Sequence, residues 1–188
     1  IVYGSGDVTA SVTADYTATS ATGNSGGTAT LNVTDGVDVD LASISSGDSG
    51  FTIDASGNSL ASTLTGSQFD DSILGSASGD TITGGGGADS IDAGSGGDTL
   101  IYADGSDLSG DGPVDGGAGT DTIRFTSATA DVDDGDFANV SGDSIEAITL
   151  SSGGGNTTIT LGSSGDAATD GLTITGADQT VSGSGDTI

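Results

Sequence analysis

GSQFDDSIL (66–74), GSASGDTIT (75–83), GGGGADSID (84–92) and AGSGGDTLI (93–101) are four successive blocks of nine residues, and GGAGTDTIR (116–124) repeats them after an insertion. Asp71, Asp80, Asp89 and Asp98 fall at every ninth position. Each is followed by Ser or Thr and then by Ile73, Ile82, Ile91 or Leu100, and Asp121 with Ile123 keeps the same order. Small residues in front, Asp sixth and an aliphatic residue eighth describe half a coil of a β-solenoid. Glycines let the turn pass through backbone conformations closed to other residues, and the short segment after Asp extends with one aliphatic side chain inward. Two units close one coil. Asp71 and Asp89 are therefore expected on one edge and Asp80 and Asp98 on the other, with neighbours about 4.8 Å apart.

Like charges at that spacing repel by roughly 1 kcal/mol per pair even in water, and by more where water is excluded. A cation between them removes the conflict. Ca2+ suits the position, because it is a hard ion that collects oxygens from carboxylates and from the carbonyls of a glycine-rich turn. The blocks resemble the GGxGxDxUx repeat of the RTX family. The match is close at 84–92, 93–101 and 116–124, and it departs from the pattern at Phe69 and Ser78, which replace the fourth-position glycine. The resemblance implies an all-β, right-handed parallel β-solenoid (an RTX β-roll) with several Ca2+ ions between successive loops. Their ligands would be Asp71, Asp80, Asp89, Asp98 and Asp121, with the turns at Gly85, Gly87, Gly94, Gly96, Gly117 and Gly119. A Gly/Asp/Ser linker would share this composition but has no reason to keep an aliphatic residue in register with every Asp.

Composition narrows the function. Among 188 residues there are 36 Gly, one basic residue (Arg124), a single Glu (Glu146) and no His, Cys, Met or Trp, for a net charge of −27. A chain with no basic patch has nothing to replace phosphate counterions, which excludes nucleic acid. Nucleophile and base constellations built on His, Cys or Lys are absent, so a non-enzymatic role is expected. A calcium-assisted polysaccharide lyase of β-helix type would have only Arg124 as its base. No apolar run approaches a membrane span, so no membrane insertion is expected. Recurrent β-branched alternation argues against disorder. The absence of cysteine fits a secreted bacterial protein that does not rely on disulfides.

Three segments are expected: solenoid strands over 1–65, the nonapeptide block over 66–124, and further solenoid with acidic loops over 125–188. In the first, Val8, Val12, Tyr16, Leu31 and Val33 are candidate core, followed by Phe51, Ile53, Leu60 and Leu64. Asp38 and Asp40 alternate with Val37, Val39 and Leu41, which puts the carboxylates on a solvated face. Asp54 and Asn58 read as turn caps. In the insertion, Asp104, Asp107, Asp111 and Asp115 fit either an irregular calcium loop or a bulged surface loop of solvated carboxylates. Asp131, Asp133, Asp134 and Asp136 pose the same alternative. Arg124 reads as an exposed strand residue or as the partner of one of these carboxylates. A flat threonine ladder, which an ice-binding face would need, is not read, because Thr81, Thr99 and Thr122 alternate with Ser72 and Ser90.

Beyond the block, Gly116 to Asp121, Phe137, and Ile145, Glu146, Ile148 and Leu150 resemble the repeat grammar of RTX-type bacterial surface-layer proteins and large surface adhesins. That resemblance implies a secreted, extracellular structural protein at a bacterial cell surface. It would be a calcium-stapled surface-layer subunit or fragment whose partner is itself, in a homo-oligomeric lattice or filament, with cell-surface polysaccharide as a further partner. The alternative is the spacer region of a secreted RTX adhesin. The chain opens on Ile1 and closes inside a repeat, at Asp186 to Ile188, so a fragment of a longer solenoid is expected.

Overall fold

The computed structural model describes residues 6–47, 49–127, 129–141 and 144–150, and beyond them the backbone of three strands. One parallel sheet stacks β1 (Val8–Val12), β3 (Ala29–Val33), β5 (Thr52–Asp54), β7 (Ser72–Leu74), β9 (Ser90–Asp92) and β12 (Val114–Asp115) in that order. A second stacks β2 (Tyr16–Thr17), β4 (Val39–Asp40), β6 (Thr63–Thr65), β8 (Thr81–Thr83), β11 (Thr99–Tyr102), β14 (Thr122–Phe125), β16 (Ala147–Leu150) and β18 (Thr173–Thr175). The chain visits the two sheets alternately, so each pair of strands is one coil and the molecule is a parallel β-solenoid. Both sheets run through residue 65 without a break. The short strands β10 (Ser95–Gly96) and β13 (Ala118–Gly119) join two turns. At the far end β15 (Asp131–Asp133), β17 (Thr158–Leu161) and β19 (Thr180–Gly183) form a third sheet.

The eighth-position aliphatic residues build the core. Ile53, Ile73, Ile91 and Val114 stack in one column, and Leu64, Ile82, Leu100, Ile123 and Ile148 in the other. All nine are buried. Burying one such side chain contributes about 1.5–3 kcal/mol, so these two columns are the main apolar support of a chain poor in large residues. Tyr102, Phe125 and Leu150 form a column beside the second one, with the Tyr102 and Phe125 ring centroids 6.3 Å apart.

Val12, Val33, Phe51, Ile53 and Leu64 are buried as expected, and Tyr16 and Leu31 pack against the core half-buried. Two core expectations are corrected: Val8, on the outermost described strand of its sheet, is 40 % exposed, and Leu60 is 56 % exposed because it lies in the turn between β5 and β6, against Gly36 on the outer surface. Asp38 is exposed while Val37, Val39 and Leu41 are buried, as the alternation requires. Asp54 Oδ1 accepts the N–H and hydroxyl of Ser56, a turn cap. Asn58 does not cap through its side chain, whose amide nitrogen is buried without a partner. The serine and threonine units separate onto different sheets, so Thr63, Thr81, Thr99 and Thr122 do stack in one column. It stops at Ala147, and the column beside it is broken by Ile101 and Arg124. Arg124 is exposed. Among the described residues no helix is long and apolar enough to cross a membrane.

Candidate metal centre

Each Asp of the repeat immediately precedes its strand, so parallel pairing brings successive aspartates together on the two edges of the solenoid. On the first edge Asp71 Oδ1 accepts the N–H of Phe51 (2.6 Å), Asp89 Oδ1 that of Asp71 (2.8 Å) and Asp111 Oδ1 that of Asp89 (3.1 Å). On the second, Asp80 Oδ1 accepts the N–H of Ser62 (2.7 Å), Asp98 Oδ1 that of Asp80 (2.6 Å), Asp121 Oδ1 that of Asp98 (2.7 Å) and Glu146 Oε2 that of Asp121 (2.7 Å). Every rung thus reaches back to the coil before it. Asp71, Asp80, Asp89, Asp98 and Asp121 are at most 3 % exposed.

The second carboxylate oxygen separates the rungs into two kinds. Asp71 Oδ2 accepts the N–H (2.5 Å) and hydroxyl (2.9 Å) of Ser67, and Asp80 Oδ2 accepts the N–H of Ser76 (2.5 Å). Serine occupies the second position of those two blocks; glycine replaces it in the later ones, and there the hydroxyl is lost. The second oxygens of Asp98 and Asp121 are buried with no donor to meet them, their two carboxyls lying against each other, whereas that of Asp111 is met by the buried hydroxyl of Tyr102. Buried carboxylate oxygens are nearly always satisfied, so these orphans point to a positive ligand.

The turns supply the other oxygens. Gly85, Gly87, Gly94, Gly96, Gly117 and Gly119 all have positive φ, between 85° and 154°. They stack on the turn one coil earlier so closely that a Cβ on Gly117 would lie 2.0 Å from Gly94 O, and one on Gly119 1.4 Å from Gly96 O. Carbonyl and carboxylate oxygens also converge: a Cβ on Gly75 would meet Ala93 O at 2.2 Å and Asp80 Oδ2 at 2.9 Å. Gly119→Ala is therefore expected to cost at least about 2 kcal/mol in urea unfolding with calcium present. Gly57→Ala, with nothing within 4 Å, should stay within about 0.5 kcal/mol. Comparable losses would mean that the turns are not closely stacked.

Burial holds the carboxyls of Asp71 and Asp121 above the ordinary range, pushes Asp89 up to about 7, and pushes Asp98 and Asp111 up to about 6. Neighbouring carboxylates add to the rise, Asp111 and Asp71 on Asp89, and Asp121 and Asp80 on Asp98. Without a cation, ionised aspartates are unfavourable here. Among the described residues no three acidic side chains converge on one point. Adjacent rungs bring two together, so a hard cation would complete its shell from turn carbonyls, as Ca2+ commonly does. The donor set fits that ion.

The insertion divides its four aspartates. It carries a short helix, α1 (Gly105–Gly110), which the all-β reading did not anticipate, with Leu108 buried beneath it. Asp104 caps α1, its Oδ1 accepting from Asp107 N and Ser106 Oγ, while Asp107 Oδ2 accepts from Ala103 N and Asp115 Oδ1 from Gly117 N. Only Asp111 reaches the ladder; the four do not form one cage. In the next acidic cluster Asp133 and Asp136 make a reciprocal capping box on the 3-10 turn η1 (Asp134–Phe137). Glu146 was missed as a rung, although Glu146, Ala147 and Ile148 repeat the order acid, small, aliphatic. Asp111 carries no such signal, since its aliphatic neighbour Val114 stands three residues on.

The family model of the RTX calcium-binding nonapeptide repeat (4 copies) matches this chain at residues 56–90, 65–100 and 74–108. No curated protein and no solved structure gives a significant match.

Proposed function

This chain being an RTX-type β-roll protein whose nonapeptide block binds several Ca2+ ions, we propose that it is a secreted structural protein, a surface-layer subunit or part of one, that calcium folds and that then assembles with itself at a bacterial cell surface. The observation that carries this reading is the pair of buried, facing carboxylates Asp98 and Asp121, whose second oxygens have no donor. Asp89, Asp98 and Asp121 would hold the ions together with the glycine turns of the next coil, while Asp71 and Asp80 keep Ser67 and Ser76 as the partners of their second oxygens. Bound Ca2+ supplies the positive charge and the oxygen coordination that these groups lack among themselves. Because the ladder exists only when coils are stacked, binding free energy becomes folding free energy. In low calcium the carboxylates oppose stacking and keep the block exportable.

A calcium titration followed by far-UV circular dichroism and light scattering, with a chelator control, tests the reading. Growth of β signal with calcium and then of scattering supports a calcium-folded assembly protein. Folding without assembly favours the adhesin spacer. A β signal that is complete in chelator and ignores calcium overturns the calcium-folded reading.

A further inference from the structure

The stitching between coils changes character along the chain. Among the described residues up to 65, the buried polar side chains are Thr22, Asn24 and Ser62, with no carboxylate. The inter-coil carboxylates there are exposed and reach forward: Asp7 Oδ1 accepts from Thr28 N (2.8 Å), Asp15 Oδ1 from Asp38 N (3.1 Å), Asp35 Oδ1 from Ser59 N (2.6 Å) and Asp38 Oδ1 from Thr63 N (2.6 Å). From Asp71 to Asp121 the rungs are buried and reach backward, and the half-buried Glu146 reaches backward as well.

Asn24 is central to the first part. It is fully buried, and its Nδ2 donates to Gly27 O (3.2 Å) in its own turn and to Gly50 O (2.7 Å) in the turn one coil later, while Gly26 N–H donates to Oδ1. The two turns press backbone on backbone, since a Cβ on Gly47 would lie 2.4 Å from Asn24 O. An amide thus joins carbonyls of successive turns, the task that falls to a cation where only oxygens face one another.

At the next junction the carboxylates are satisfied, while the neutral Asn58 Nδ2 and Ser62 Oγ are buried without a partner. Phe51 N and Ser62 N meet Asp71 and Asp80, whose other oxygens are taken by Ser67 and Ser76. Buried orphan carboxylate oxygens begin only at Asp98.

We infer that residues 6–83 fold without calcium, and that they are the template on which residues 84–150 stack when calcium arrives. The inference rests on the proposed function for its second half only. Solenoid stability is a sum over coils and their nearest-neighbour contacts, so four coils without an orphaned carboxylate oxygen can stand while the following ones are open. Coil-by-coil addition onto a formed edge also avoids nucleating a parallel sheet from separate strands.

Amide hydrogen exchange read by mass spectrometry on the full chain, in chelator and with CaCl2, tests this. In chelator, peptides within 6–83 should be protected and those within 84–150 should exchange freely; calcium should protect the latter. If 6–83 exchanges freely in chelator while calcium protects 84–150, the template is wrong and the proposed function stands. If 84–150 is protected in chelator, the proposed function fails. Asn24→Asp replaces the donor by an acceptor facing two carbonyls and should speed exchange around Thr28 and Phe51 in chelator by about tenfold or more. Unchanged protection in that variant would remove Asn24 from the role assigned to it.

Discussion

Replacing Asp98 and Asp121 together by alanine is expected to raise the calcium concentration for half-folding by roughly two orders of magnitude, against less than about threefold for Asp38→Ala with Asp40→Ala. The first pair removes two buried acceptors and strands the N–H groups of Asp80 and Asp98, each worth about 1–3 kcal/mol when left unsatisfied. It also removes the two rung oxygens that lack any partner on the second edge. The second pair is chemically similar but differently placed. Asp38 is exposed and Asp40 half-buried, and the N–H groups they serve, on Thr63 and Ala42, can turn to water. Calcium titration by circular dichroism distinguishes the pairs; equal shifts would sink the ladder.

Acid should substitute in part for calcium. Asp89, Asp98 and Asp111 have folded pKa values raised by burial to about 7, 6 and 6, against about 3.9 in an unfolded chain. A raised carboxyl pKa means that the folded state keeps protons which the unfolded state has lost. Its stabilising effect is full below about pH 4 and disappears as pH rises through about 7. In chelator, the urea midpoint of the block should therefore fall from pH 5 to pH 8, and calcium should restore it at pH 8. Repulsion within a chain of net charge −27 has the same sign. Asp89→Asn supplies the discriminating arm, since it should flatten the curve between pH 5 and 7. A metal-free block more stable at pH 8 than at pH 5 would mean that these aspartates are ionised in the fold without a cation.

The nine-residue period implied two edges of aspartate and two columns of aliphatic residues, and both stand in register because period and pairing are local properties of a repeating unit. Glu146 was legible in the same grammar, once the acid is allowed to be longer. Asp111 was named only among the four candidates for a calcium loop; its place as a rung was not legible, because α1 displaces it from the repeat and the stacking on Asp89 shows it. Leu60 and Val8 are aliphatic residues in apparently suitable places; their exposure depends on where a turn bends and which strand lies outermost among those described. The contrast between Ser67 and Ser76 on one side and Gly94 and Gly117 on the other was visible as letters. Its consequence was not, since whether a buried oxygen has a partner depends on groups a full coil away. By itself the sequence determined the solenoid, its period and the residue types on its edges. The tertiary structure decided which carboxylates are satisfied and which need a cation, because hydrogen-bond satisfaction belongs to the stacked coils and not to any one of them.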